Sequence, residues 1–295
     1  FKVLLPDLLM PTLFTDYLPP TTPLTAPKLT LADVLPKPVQ PLATLPALFV
    51  SHGAPSLAIE RNATTQALAK IGQNLPTPRL IVMLSAHWQS SQLELNANPL
   101  PPTWHDFSGF GQALAAIDYP AHGYPEAAYA LAEQLQARQV AVSLNRLRAY
   151  DHGVWAPLVH VYPNAEIPVL TLSLPRHFDS YACYQLGALF APLRAEQVLL
   201  IGSGSVTHNL RQVRFGNTVK IDPNAWAFRQ WLVEQLRYDI PRALDWQAHP
   251  LAMYNHASPE HLLPLFFAAG AGQRMSVVHE RFAHYSLAMD IYRFD

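Results

Sequence analysis

The chain has 295 residues, a formal net charge of −1 and only 14% charged side chains, and 50% of its residues are hydrophobic. That length allows one large domain or two ordinary ones, and the apolar half is ample for a core. No basic stripe suggests nucleic acid, no apolar run reaches the roughly 18 residues of a membrane span, and a lone Cys183 excludes an intrachain disulfide, which fits a reducing cytoplasm.

The chain opens at Phe1, which suggests a trimmed or partial protein. Residues 1–44 are a zone apart, with Pro6, Pro11, Pro19, Pro20, Pro23, Pro27, Pro36, Pro38 and Pro41. Proline fixes φ and removes a donor, so this zone is a poor source of central strands or long helices. Its leucines, with Phe14 and Tyr17, argue against a solvated linker. An extended arm lying on the body or on a neighbouring subunit is expected.

From Leu45 the pattern alternates. Strand 46–51 runs into Ser51-His52-Gly53-Ala54-Pro55, where glycine and proline force a turn and leave His52 at a strand end. Helix 61–73 follows, then strand 79–85, whose end carries Ser85-Ala86-His87-Trp88, with Trp88 able to wall a dry pocket. Strand 92–97 comes next, then Trp104-His105-Asp106-Phe107, in which His105 is a candidate substrate contact. Helix 125–137 starts on Pro125, a favoured first-turn position, and strand 139–144 follows it. Asp151 is a candidate cap for helix 153–161, beside His152. Strand 168–174, helix 180–193 and strand 197–202 lead to Gly202-Ser203-Gly204-Ser205 and then His208, and the glycines suit close backbone approach to a ligand. Helix 223–238 is followed by helix 259–269, with Ser258 as N-cap and Pro259 in its first turn. There Glu260 and His261 are adjacent, and neighbours on a helix point about 100° apart, so one of the two should face a site. Strand 276–280 and another near the C-terminus close the chain.

Strand–helix alternation implies a single α/β domain, its central sheet mostly parallel or mixed and flanked by helices, beside the proline-rich N-terminal arm. Ligand sites in such sheets lie past the carboxyl ends of the strands. Three apolar runs that end in His52, His87 and His208 can therefore converge, and imidazole is both a metal ligand and an acid/base near neutral pH. Read one at a time, each histidine also fits a structural role, and either Glu260 or His261 fits a third ligand. The glycine stretch lacks the lysine and spacing of a phosphate-binding loop, and no His-Glu-x-x-His, Cys-x-x-Cys or Gly-x-Ser-x-Gly motif is present. Cys183 lies in an amphipathic helical stretch and reads as a core thiol.

Taken together, Ser51-His52-Gly53-Ala54-Pro55, Ser85-Ala86-His87-Trp88, Asp151-His152-Gly153-Val154-Trp155, Gly202 to Leu210 and Pro259-Glu260-His261 resemble the DOPA-dioxygenase type of class III extradiol ring-cleaving dioxygenases, the superfamily of the protocatechuate 4,5-dioxygenase β-subunit. The resemblance covers residues 45–295 as one catalytic domain and leaves 1–44 outside. It implies one non-haem metal held by His52, His87 and His261, with Glu260 as the alternative third ligand. It implies His208 as the acid/base beside the metal, or a fourth ligand, and His152 as a second pocket histidine touching substrate or oxygen. It implies Fe(II) for activity, with Zn(II) able to occupy the same donors, and a small DOPA-like catechol and O2 as substrates. No nucleic-acid or membrane partner is expected, and the oligomeric state is left open. The rival readings are a zinc-dependent hydrolase on the same scaffold and a binding protein that keeps the fold without turnover.

Overall fold

The structure, a computed structural model, describes residues 27–38, 43–214 and 220–295. Its strands are β1 (Ala47–Ser51), β2 (Leu80–Ser90), β3 (Leu93–Asn96), β4 (Val142–Asn145), β5 (Val169–Pro175), β6 (Val198–Gly204), β7 (Met275–His279), β8 (Phe282–Ala283), β9 (Leu287–Ala288) and β10 (Ile291–Phe294). The helices are α1 (Ala63–Asn74), α2 (Gln112–Ala115), α3 (Pro125–Gln136), α4 (His152–Val161), α5 (Ser180–Phe190), α6 (Pro223–Tyr238), α7 (Ile240–Leu244), α8 (Ala252–Asn255) and α9 (Leu263–Ala271).

One eight-stranded sheet runs in the order β4-β3-β5-β2-β6-β1-β10-β7. Its centre, β5-β2-β6-β1, is parallel. β10 and β7 add antiparallel strands on one side, and β3 pairs antiparallel with β5 on the other. The sheet is therefore mixed with a parallel core, as the alternating pattern implies. Parallel strands covered on both faces are apolar throughout, and successive residues of β2 serve different layers. Val82 and Leu84 pack with Leu186, Phe190, Phe266 and Phe267 on one face. Ile81 and Met83 pack with Leu68, Trp155 and Leu158 on the other.

Short polar side chains set the helix starts. Asn62 accepts from the backbone N–H groups of Thr64 and Thr65 to begin α1, and Asp179 does so from Ala182 to begin α5. Two helix boundaries differ most from the sequence expectation. Helix 180–193 ends as an α-helix at Phe190 and tightens into a 3-10 turn, Ala191–Glu196, that contains Pro192. The expected helix 259–269 begins only at Leu263, because Pro264 already provides the first-turn proline, and Pro259 to Leu262 form a turn. The glycines before His208 also serve another purpose than ligand approach. A Cβ on Gly202 would lie 1.9 Å from the carbonyl of Pro264, and one on Gly204 would lie 2.1 Å from that of His261. They let α9 and its leading turn sit directly on β6.

Of the N-terminal arm, residues 1–26 and 39–42 lie outside the described residues. The part from Pro27 to Pro38 lies on the body, with Leu29, Leu31 and Leu35 buried in the main core. Glu196 accepts from Leu31 N at 2.8 Å and from Thr30 Oγ1 at 2.5 Å, and Tyr124 donates to the Val34 carbonyl at 2.8 Å. Among the described residues no helix is long and apolar enough to cross a membrane.

Candidate metal centre

Three parallel strands deliver histidines to one end of the sheet. His52 follows the last residue of β1 and is 1% exposed. His87 differs from expectation: it lies within β2, not beyond it. Pairing of β2 with β6 stops at Ser85, and the register with β5 breaks between Leu84 and Gln89. Such an irregularity re-aims side chains, and here it carries the His87 ring to the site. His208 comes four residues after β6 and is half-buried.

His152 opens α4, yet the side chain of Asp151 does not cap this helix. Asp151 is occupied elsewhere. Its Oδ1 accepts from Ser85 Oγ at 2.7 Å and its Oδ2 from Arg148 at 2.7 Å. Asp106 takes the capping role instead. One of its oxygens accepts from the backbone N–H of His152 at 3.1 Å and meets Nδ1 of the same residue at 2.8 Å. His261 lies in the turn before α9, with Nδ1 3.1 Å from Glu260 Oε1. Because these two residues sit in a turn, helical spacing does not separate them, and both face the cluster with His208.

All five imidazoles converge. Ring centroids are 4.8 Å apart for His52 and His87, 4.9 Å for His87 and His261, and 5.5 Å for His52 and His261. His152 lies 4.0 Å from His87 and 5.4 Å from His52. The His208 ring stacks on His261 at 3.6 Å and 11°. Candidate ligand atoms of His52, His87 and His152 lie within 4.8 Å of one another, and so do those of His208, Glu260 and His261.

Burial, then the neighbouring imidazoles, hold His52 well below its ordinary value and bring His87 down to about 4. Burial lowers His261 as well, although the Glu260 hydrogen bond opposes it. Burial also lowers His208, against the pull of Glu260. Burial pushes the Asp106 carboxyl up, but hydrogen bonding and charge at His152 outweigh it and keep Asp106 ionised. His52, His87, His208 and His261 are thus neutral bases at neutral pH, and carboxylates stand behind His261 and His152. The hydrogen-bond network assigns the tautomers. Nδ1 of His261 and His152 face carboxylate oxygens and carry protons, which turns their Nε2 lone pairs inward. Nε2 of His52 and Nε2 of His87 are 3.0 Å apart. Lone pairs gathered this closely on neutral nitrogens fit a shared divalent cation of the Zn or Fe type.

Trp88 and His105 each have a partner of their own. Trp88 packs on the Arg148 guanidinium at 5.0 Å, and Trp104 covers the same group at 5.1 Å. His105 Nε2 bonds the Ile117 carbonyl at 3.1 Å, a structural bond beside the site. His160 and His256 likewise bond the carbonyls of Leu57 and Val206. Asp106, Ser203 and Arg148 were not assigned roles from sequence. Asp106 had a visible signal, an acid in an aromatic stretch next to His105. A cavity of ≈ 840 Å³ between α6 and the β8–β9 hairpin is lined by Arg61, Trp226 and Arg281 but by none of these histidines. Convergence of donors, not cavity size, marks the centre.

A mixed α/β sheet thus gathers five imidazoles at the carboxyl end of its parallel core, a donor set that suits an α/β metalloenzyme. The chain belongs to the class III extradiol ring-cleavage dioxygenases: residues 45–295 match the family described as the catalytic LigB subunit of aromatic ring-opening dioxygenase. It is 37% identical over 236 residues to the 4,5-DOPA dioxygenase extradiol of Escherichia coli, covering 77% of this chain and 85% of that one. It is 35% identical to the protein of the same name from Beta vulgaris, over 76% and 85% of the two chains. The solved structure of an uncharacterized Escherichia coli protein aligns with a TM-score of 0.73 at 30% identity, covering 85% of this chain and 100% of the other.

Proposed function

We propose that this dioxygenase opens the ring of a small DOPA-like catechol with O2 at a metal centre held by His52, His87 and His261. The observation that carries the proposal is the convergence of neutral imidazoles whose outer nitrogens are held by Ser203 at His52 and Glu260 at His261. Outer partners of this kind orient metal-ligating histidines and raise their basicity. The names of the relatives support the catechol class. When bound, Fe(II) supplies open positions for catechol and O2 and a route for electrons between them. Zn(II) suits the same donors but has no redox chemistry, so zinc-loaded protein is expected to be inactive.

The remaining residues divide the proton work. Among the described residues the His208 ring makes no hydrogen bond of its own and is oriented by its stack on His261. A neutral ring so placed takes a proton from a substrate hydroxyl and later returns it to a product oxygen. His152, its Nδ1–H held by Asp106, offers Nε2 to the substrate or to O2. Phe107 stands edge-on to His152 at 5.8 Å and gives that side an apolar neighbour.

The test is metal analysis with single-turnover rates on alanine variants. His52→Ala, His87→Ala and His261→Ala are expected to lose the metal. His208→Ala is expected to keep it and lose about 10²–10⁴-fold in rate. Because His152 also clusters with His52 and His87, a metal-free His152→Ala beside a metal-bound His261→Ala would move the third ligand to His152.

A further inference from the structure

Helix α4 contains a proline, Pro157, in its interior. A proline there has no N–H for the carbonyl four residues back, and its ring presses that carbonyl outward. The carbonyl belongs to Gly153, and Ser203 of β6 takes it: Ser203 Oγ donates to Gly153 O at 2.6 Å. Ser203 is completely buried, so no solvent competes for its hydroxyl. A serine hydroxyl has a single proton. With that proton committed to Gly153, Ser203 Oγ meets His52 Nδ1, 2.9 Å away, as an acceptor. Nδ1 of His52 must then carry the ring proton. Its Nε2 is left as a bare lone pair, 3.0 Å from Nε2 of His87.

The first turn of α4 has little room to respond in any other way. A Cβ on Gly153 would lie 2.6 Å from Ser85 Oγ and 3.0 Å from Cδ2 of His87. The helix start is therefore seated against β2, and the tilt of the Gly153 carbonyl remains the adjustable element between α4 and β6.

We propose that Pro157 is a positioning residue: by leaving the Gly153 carbonyl to Ser203, it directs the Ser203 hydroxyl and so holds His52 as the Nδ1–H tautomer with Nε2 turned to the other imidazoles. The consequence for metal binding rests on the reading of His52 as a ligand; the tautomer does not.

Pro157→Ala restores the missing helix donor and lets the Gly153 carbonyl swing back toward the helix axis. The variant is expected to melt at a higher temperature, because an interior proline is removed. It is also expected to lose the single His52 tautomer, read by histidine 15N NMR on metal-free protein with His52→Gln as the assignment control. Co(II), used as the probe metal and followed by its visible spectrum, is expected to bind about 10–100-fold more weakly. Ser203→Ala is expected to weaken Co(II) similarly without the gain in melting temperature. The double variant should bind Co(II) no worse than Ser203→Ala, since the proline acts through the serine. A stabilised Pro157→Ala that keeps the Nδ1–H tautomer and binds Co(II) within two-fold of the parent overturns the proposal. So does a double variant whose losses add. A parent protein with the Nδ1–H tautomer but no Co(II) uptake would sink the metal reading and leave the relay standing.

Discussion

Asp106→Asn separates a held imidazole from one merely nearby. The carboxylate accepts twice through one oxygen, from the His152 backbone N–H at 3.1 Å and at His152 Nδ1 at 2.8 Å. Its other oxygen lies 3.8 Å from Nδ1 of His87. Hydrogen bonds to an ionised acceptor contribute about 1.5–3 kcal/mol, against about 1 kcal/mol for neutral ones. Asparagine keeps an oxygen of the same size, so the helix start survives, but the charge that prefers Nδ1–H is lost. The difference is about 1–1.5 kcal/mol, which corresponds to about a ten-fold fall in the population of correctly held His152 rings. Asp106→Ala removes both bonds and is expected to cost about 10²-fold or more. Steady-state kcat and kcat/KM on metal-loaded protein, with metal content measured in parallel, read the effect. If Asp106→Asn matches the parent within two-fold while His152→Ala loses turnover, the carboxylate does not act through His152 and the reasoning fails.

Arg148→Lys should keep the ion pair to Asp151 but lose the simultaneous reach to the His87 carbonyl, 3.4 Å away; metal affinity is expected to fall about ten-fold, and unchanged affinity in a chelator competition would refute it. His256 is fully buried, and burial lowers it to about 4. Its unfolded form binds a proton near pH 6.5 and the folded form does not, so it contributes stability that is complete above that pH and is lost as pH falls from 6.5 through 4, about 3 kcal/mol in all. Urea unfolding at pH 8 and pH 5 should therefore show a smaller acid loss in His256→Gln than in the parent, and equal losses would count against this. Leu31→Ala, at a position 1% exposed, should cost about 2–4 kcal/mol in urea unfolding with kcat unchanged; a stable variant would mean that the arm contributes nothing there.

The parallel core was legible because strands buried on both faces must be apolar throughout, and three of those runs broke at small residues before a histidine. His52 and His208 could be placed on that ground alone. The setting of His87 could not, because β2 continues through a register break to Ser90, and a bulge leaves no mark in an apolar run. Ser258 and Pro259 imitate a helix start, yet the helix waits for Pro264, and the resulting turn brings Glu260 and His261 to the site together. The capping role expected of Asp151 belongs to Asp106, 46 positions from its partner His152. Ser203 was readable only as a spacer between glycines, because its role depends on a proline in another element. Long-range hydrogen-bond partners follow from the packing of α4 on β2 and β6, and no local pattern carries that information.

Oxygen uptake by anaerobically Fe(II)-loaded protein, measured with a panel of catechols that includes DOPA and followed together with the ring-opened product, tests the proposed activity most directly. The expected result is consumption of one O2 per ring opened with at least one catechol, lost in zinc-loaded protein and in His52→Ala. Full Fe(II) loading with no O2 uptake on any catechol in the panel would contradict it.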